Sequence, residues 1–205
     1  MMRYLYKLIF KLFSWRVEGS VPNNLPKFII IVAPHTANID FFVGIMARGL
    51  LRLDSTKFLG KSQLFKAPFG FIFRWLGGYP VDRSKNNNLV DVVVDIFNSK
   101  ERFSIALAPE GTRKKVDKIK TGFYHIAKRA KIPIIMISFD FGTKKIKVSE
   151  PFMTSDNVFN DFKKIITFFS SSIGAKPQNG VSIDLLDQML PEIEKLQERY
   201  SSELS

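Results

Sequence analysis

The chain runs FIIIVAPHTANID from residue 28 to residue 40. Residues 28–33 form a short apolar run rich in isoleucine, and prolines at positions 26 and 34 bound it. Such a run predicts a strand that is buried on both faces. From Asn38 to about Leu51 the apolar side chains recur at helical spacing, so a helix is expected directly after the strand. This succession is typical of a parallel sheet that is covered by helices.

The same alternation continues towards the C-terminus. The apolar patterns predict strands at residues 57–59, 79–81, 104–108, 133–139 and 144–148, and helices at residues 65–76, 88–98, 122–130, 160–171 and 183–199, the last interrupted by a proline. Residues 17–27, which are rich in proline, glycine and asparagine, predict a connector. We therefore predict an α/β fold with a mostly parallel central sheet, helices on both faces, and a single domain over residues 17–205.

The composition limits the classes of partner. With 205 residues and a net charge of +12, the chain is expected to attract nucleic acid, a phosphate-bearing substrate or an acidic membrane face. An excess of 20 phenylalanines over five tyrosines favours a lipid boundary over a surface that recognises bases. The absence of cysteine excludes a disulfide framework, a thiol nucleophile and a cysteine-ligated metal.

Residues 1–16 predict an amphipathic helix that is distinct from the domain. Arg3, Lys7 and Lys11 recur every four residues, whereas the apolar side chains occupy the other side. Two interpretations stay open: a helix lying in a membrane interface, and an ordinary terminal helix packed on the domain. We expect no signal peptide, because the lysines interrupt the apolar stretch. No run reaches the roughly 18 to 20 apolar residues that a membrane span requires.

The loop between the first buried strand and its helix contains the main candidates for catalysis. In open α/β sheets ligands bind at the carboxyl ends of the strands, which is where His35 is expected. Asp40, five residues later in the first turn of the helix, is placed to hydrogen-bond one ring nitrogen while the other removes a proton from a substrate hydroxyl. The alternative is a helix-capping aspartate beside an incidental histidine. The other histidine, His125, is assigned a packing role within a predicted helix.

Two further turns follow predicted strands. The first, GGYPVDR at residues 77–83, ends in Arg83, whose planar guanidinium suits a phosphate. The second, APEGTR at residues 108–113, offers the carboxylate of Glu110, the flexible Gly111, the hydroxyl of Thr112 and the guanidinium of Arg113. Lys120 stands at the start of a predicted helix, where exposed amides favour anions. An ordinary polar turn is the alternative for each motif alone.

In order and spacing these motifs resemble the four sequence blocks of the glycerolipid acyltransferases, the family typified by 1-acyl-sn-glycerol-3-phosphate acyltransferase. His35 and Asp40 match the HxxxxD block in full. Residues 77–83 resemble GxIFIxR, with Tyr79 and Pro80 replacing apolar residues, and residues 109–113 match PEGTR within FPEGTRS. Residues 132–137 resemble the VPIVPV-like strand. The blocks together cover roughly the first two thirds of the chain.

The resemblance implies that His35 and Asp40 perform catalysis, and that Arg83, Glu110 and Gly111 hold a glycerophosphate acceptor with Thr112 and Arg113 beside them. The expected reaction moves an acyl group from acyl-CoA or acyl-carrier protein to the free hydroxyl of a lysophospholipid, 1-acyl-glycerol-3-phosphate, giving phosphatidate, without a cofactor or metal. An anionic membrane surface is the expected partner, at the cytoplasmic face of a bacterial inner membrane, and no nucleic acid is expected. Another lysophospholipid or lipid-linked hydroxyl, or a non-catalytic lipid- or nucleic-acid-binding module, remains an alternative.

Overall fold

The computed structural model describes residues 2–81 and 89–202. A seven-stranded sheet lies at its centre, in the order β1-β7-β6-β2-β5-β3-β4. The neighbouring strands are parallel except β6 and β7, which are antiparallel. The strands are β1 Arg16–Glu18, β2 Lys27–Val32, β3 Lys57–Lys61, β4 Gly78–Val81, β5 Phe103–Leu107, β6 Ile134–Asp140 and β7 Lys145–Val148. The predicted α/β fold with a mostly parallel sheet is therefore confirmed.

Helices cover both faces of this sheet. They are α1 Met2–Leu12, α2 Ile39–Leu50, α3 Gly70–Trp75, α4 Leu89–Ser99, α5 Gly122–Ala130, α6 Val158–Ser170, α7 Leu185–Gln188 and α8 Leu190–Ser202. Because side chains alternate along a strand, β2 contributes to two cores. Ile29 and Ile31 pack with α4 to α8 on one face. Phe28 and Ile30 pack with α1 and α2 on the other.

Three elements differ from the sequence-based predictions. Residues 16–18, at the boundary between the predicted N-terminal helix and the predicted connector, form β1, whose pairing with β7 outweighs its weak local pattern. The aromatic segment at residues 65–76 is not one helix, because a 3₁₀ turn at Ser62–Phe65 precedes α3 and Gly70 packs against the backbone of Phe65. At the C-terminus, the expected helix is split between α7 and α8, just before Pro191.

The N-terminal helix contacts the rest of the fold through α2. Its Phe10 is buried, and Arg3 Nε donates a hydrogen bond to the carbonyl oxygen of Gly49 at 3.0 Å. The opposite side of α1 leaves Leu8 and Leu12 63% and 75% exposed. The packing that was one alternative for residues 1–16 is thus present, together with an uncovered apolar face. Within the described residues, every helix is too short or too polar to cross a membrane.

Candidate active site

The loop that follows β2 brings His35 and Asp40 together. His35 Nδ1 lies 3.3 Å from Asp40 Oδ2, which is the contact that their spacing predicts. The same oxygen accepts hydrogen bonds from the backbone amides of Thr36 and Ala37 at 2.6 and 2.8 Å. These amides fix the carboxylate, and the carboxylate fixes the ring orientation. A protonated Nδ1 then leaves Nε2 free to accept a proton.

Burial distinguishes the two members of this pair. The Asp40 side chain is completely buried, whereas 22% of the His35 side chain is exposed. Among the described residues, Asp40 Oδ1 has no hydrogen-bond partner. The geometry therefore suits a base that faces solvent or substrate and is supported from behind by an acid.

Glu110 lies against the same loop from the neighbouring strand. β2 and β5 are parallel and adjacent, with Ile31 opposite Leu107, so the residues beyond both carboxyl ends meet. The His35 backbone N–H donates to both Glu110 oxygens, at 3.2 and 2.8 Å. Burial raises the pKa of Glu110 to about 7; the hydrogen bond from His35 opposes this rise, and the charge of Asp40 adds to it. Sequence reasoning missed this contact, which depends on strand order.

The turn after β5 places several other candidates close together. Gly111 adopts a φ of +67°, and a Cβ there would lie 2.9 Å from Lys120 Cε, so the lysine stem covers the glycine. The Lys120 amide also donates to the Pro109 carbonyl at 2.8 Å. Thr112, Arg113 and Lys120 are exposed. The turn thus presents two cations and a hydroxyl to solvent beside the carboxylate that holds His35.

Packing explains the paired glycines Gly77 and Gly78, the second of which begins β4. Gly77 has a φ of +90°, and a Cβ there would lie 2.8 Å from a guanidinium nitrogen of Arg48. A Cβ on Gly78 would lie 2.6 Å from the Phe65 ring. At both positions, the space that a side chain would need is therefore already occupied by a neighbouring side chain of the protein. Arg83, the phosphate-binding candidate of this motif, lies outside the described residues.

An apolar cavity of about 250 Å³ opens beside His35 and Asp40, between α2 and the sheet. The side chains that line it are contributed mainly by α2, β2, β3, β5 and β6, among them Phe41, Ile45, Phe58, Leu107 and Phe139. The phenylalanine-rich sequence of residues 65–75 is compatible with an acyl groove, a bilayer contact or plain core packing. It does not line this cavity: Phe65 is buried, and Trp75 is 79% exposed.

The connection between α6 and α7 also reaches the site, although no sequence motif marks it. The Lys176 amide donates to Thr36 Oγ1 at 3.0 Å. Further along, Asn179 Nδ2 donates to the Arg113 carbonyl at 2.9 Å. This connection therefore touches both the histidine loop and the turn after β5.

His125 lies away from this site, with Nδ1 at hydrogen-bond distance from the Tyr200 hydroxyl. In the described part of the chain, histidine and acidic side chains form no cluster suited to a metal ion.

The comparisons with known proteins point to acyltransferases. Residues 16–140 match the family model described as Acyltransferase. The 1-acyl-sn-glycerol-3-phosphate acyltransferase of Escherichia coli (strain K12) is 28% identical over 154 residues, which are 71% of this chain and 61% of that protein. The Haemophilus influenzae protein of the same name is 27% identical over 150 residues, 69% of this chain and 60% of that protein.

A plant protein with this name, from Cocos nucifera, is 26% identical over 125 residues, covering 58% of this chain and 39% of that protein. The match thus spans about three fifths of the length of the bacterial relatives. No solved structure gives a significant match.

Proposed function

The chain belongs to the Acyltransferase family, and from that membership we propose that it transfers a fatty acyl group from an acyl thioester to the free hydroxyl of a lysophospholipid. The proposed acceptor is 1-acyl-glycerol-3-phosphate, and the product is phosphatidate. The donor is acyl-CoA or acyl-carrier protein, and no cofactor takes part. The observation that carries the proposal is the His35–Asp40 pair, which lies at the mouth of an apolar cavity.

In the proposed reaction, His35 Nε2 removes the proton from the acceptor hydroxyl as its oxygen attacks the thioester carbonyl carbon. Asp40 keeps Nδ1 protonated and stabilises the imidazolium that forms. The carbon–sulfur bond then breaks, and the thiolate takes the proton from the imidazolium. No acyl-enzyme intermediate is formed. The cavity beside the pair is lined mainly by apolar side chains, which suits an acyl chain.

The acceptor phosphate is assigned to cations around the same edge of the sheet. Arg113 and Lys120 are exposed beside Gly111 and Thr112, and Arg83 follows the strand β4 in sequence. A guanidinium and an ammonium group both bind phosphate, the first through two parallel hydrogen bonds. The family resemblance implied that Glu110 holds the acceptor, but we assign it a different role. Its carboxylate repels phosphate and accepts the His35 amide, so we propose that it positions the histidine.

The experiment that tests the proposed function uses purified protein with acyl-CoA or acyl-carrier protein and a panel of lysolipids. We expect mass spectrometry to find a diacyl product with 1-acyl-glycerol-3-phosphate. Product with a different lysophospholipid alone would change the acceptor and keep the chemistry. Lipid or nucleic-acid binding without any acyl product would favour a non-catalytic module instead.

Replacing Glu110 with glutamine is expected to change how stability depends on pH. The carboxyl pKa is about 7 in the fold and 4.5 as the ordinary value, so the folded chain holds an extra proton between these pH values. The stability from this proton is present below pH 4.5 and is lost as the pH rises through 7. Its full size is roughly 3 kcal/mol. Urea unfolding at pH 5 and 8 should show the wild type losing more stability than Glu110→Gln, and parallel losses would contradict this.

The second proposal concerns the membrane. α1 contacts α2, and Arg48 near the end of α2 donates to the Leu76 carbonyl just after α3 at 2.6 Å, so the three helices are joined. Apolar side chains on or directly beside these helices are exposed, and we call them the apolar helix surface: Leu8, Leu12, Phe13, Phe42, Phe69, Phe71 and Trp75. Exposed aromatic and leucine side chains flanked by lysines are typical of proteins that lie on anionic membranes. We propose peripheral association, at the cytoplasmic face of a bacterial inner membrane.

The double variant Leu8→Glu/Leu12→Glu should bind vesicles at least about tenfold more weakly, because two exposed leucines lose their burial in lipid. Flotation with vesicles containing phosphatidylglycerol measures the bound fraction. Val92→Glu is the matched control, since Val92 is an exposed apolar residue on α4, on the other face of the sheet. Equal flotation of wild type, double variant and control would reject the proposed role of α1.

A further inference from the structure

The connection between α6 and α7, residues 171–184, is held against the residue that follows His35. Thr36 is only 1% exposed, and its hydroxyl accepts the Lys176 amide at 3.0 Å. Gly174 packs on the same side chain, since a Cβ at that position would lie 2.7 Å from Thr36 Cγ2. Thr36 is itself bound to Asp40 through its backbone amide. The connection is therefore fastened directly to the catalytic loop.

A second anchor fixes the connection at its far end. Asn179, in the 3₁₀ turn Pro177–Asn179, donates to the Arg113 carbonyl at 2.9 Å. Between the anchors, Lys176 has extended backbone angles, φ −120° and ψ 95°, which the following Pro177 favours. The backbone of Lys176 thus has a defined conformation between the histidine loop and the turn after β5.

Exposed cationic side chains lie on the segments that these anchors join. Lys176, Arg113 and Lys120 are all exposed. Across residues 2–81 and 89–202, none of the three makes an ion pair with an acidic side chain. Three such cations, on segments that are hydrogen-bonded to one another, attract an anion more strongly than a single exposed lysine does.

We propose that Lys176 is a specificity-determining residue that binds the phosphate of the acceptor, together with the cations of the turn after β5. This inference rests on the proposed function and adds a residue outside the matched residues 16–140. In a glycerol 3-phosphate headgroup the reacting hydroxyl and the phosphate lie on adjacent carbons. An acceptor whose hydroxyl faces His35 therefore brings its phosphate close to the segment that is fastened to Thr36. A lysine carries its ammonium group on a flexible stem, so the charge can move into contact with this phosphate.

The test is the binding of glycerol 3-phosphate by full-length protein, measured by isothermal titration, alongside acyl transfer kinetics. Lys176→Ala should raise the Kd for glycerol 3-phosphate and the KM for 1-acyl-glycerol-3-phosphate about fivefold, since an exposed charge-assisted contact is modest. We expect kcat to change by less than about twofold, because Lys176 does not touch the reacting atoms. Lys176→Arg should retain most of the affinity.

Lys195→Ala is the control, because Lys195 is an exposed lysine on α8, outside the segments that contact the histidine loop. Equal Kd values for wild type, Lys176→Ala and Lys195→Ala would overturn the inference, as would a wild type that does not bind glycerol 3-phosphate. The turnover of the wild type is a separate readout. Absent turnover with any lysophospholipid would remove the proposed function, whereas normal turnover with an unchanged KM in Lys176→Ala would remove only this inference.

Discussion

The variant His35→Ala is expected to lose acyl transfer activity about a thousandfold in kcat/KM, because a positioned general base contributes roughly 10² to 10⁴. The structure places the ring with one nitrogen on Asp40 and part of its surface exposed beside the apolar cavity. Without the ring, the acceptor hydroxyl must be deprotonated by water. Most of the loss should fall on kcat, since acceptor binding depends on other side chains.

A folded His35→Ala protein is needed for this comparison. The ring is partly exposed, and the main contacts of the loop are the backbone hydrogen bonds to Asp40 and Glu110, which the alanine retains. Circular dichroism and a urea titration should therefore match the wild type to within about 1 kcal/mol. His125→Ala is the matched histidine control. The native ring contacts Tyr200 on α8, away from the site, so removing it should leave kcat unchanged. Undiminished transfer by folded His35→Ala would remove the proposed base.

Asp40→Asn is expected to reduce kcat about a hundredfold to a thousandfold, because the neutral amide does not stabilise the imidazolium and can present an NH₂ group to Nδ1. The substitution preserves the shape of a completely buried side chain. Its remaining oxygen can still accept the amide of Thr36 or Ala37, so we expect the loop to fold. The KM for the acceptor should stay within about threefold, since Asp40 does not contact the phosphate.

Asp161→Asn provides the matched control for a buried aspartate. Asp161 is buried on α6, and its carboxylate accepts hydrogen bonds from the Tyr124 hydroxyl and from Ser155. This variant should lose stability without a specific fall in kcat measured on folded protein. If Asp40→Asn and Asp161→Asn change kcat equally, Asp40 has a structural role only and the proposed pair is wrong.

Local sequence patterns predicted the parts of this protein that depend on near neighbours in the chain. The apolar run at residues 28–33 identified β2, and the spacing of His35 and Asp40 predicted their contact, because both belong to one strand–loop–helix unit. The alternating strands and helices were sufficient for the fold class. The short β1 was missed because its strand pairing is with residues 145–147, far along the chain.

The unpredicted parts of the site depend on contacts between distant segments. Glu110 reaches the His35 amide only because β5 lies next to β2, and the order of strands in a sheet is not encoded in local periodicity. Lys176 is 140 residues from Thr36 and follows no recognised motif. Likewise, phenylalanine content alone did not distinguish the rings that line the cavity, such as Phe41, from the exposed rings of α3.

The central claim is direct transfer of an acyl group to a lipid hydroxyl, with His35 as the base. It is tested most directly by following thiol release from acyl-CoA or acyl-carrier protein with and without 1-acyl-glycerol-3-phosphate. We predict that the wild type releases one thiol for each phosphatidate formed, that release requires the acceptor, and that His35→Ala lowers both rates together. Thiol release that proceeds equally well without acceptor, or phosphatidate formation that is independent of His35, would contradict the claim.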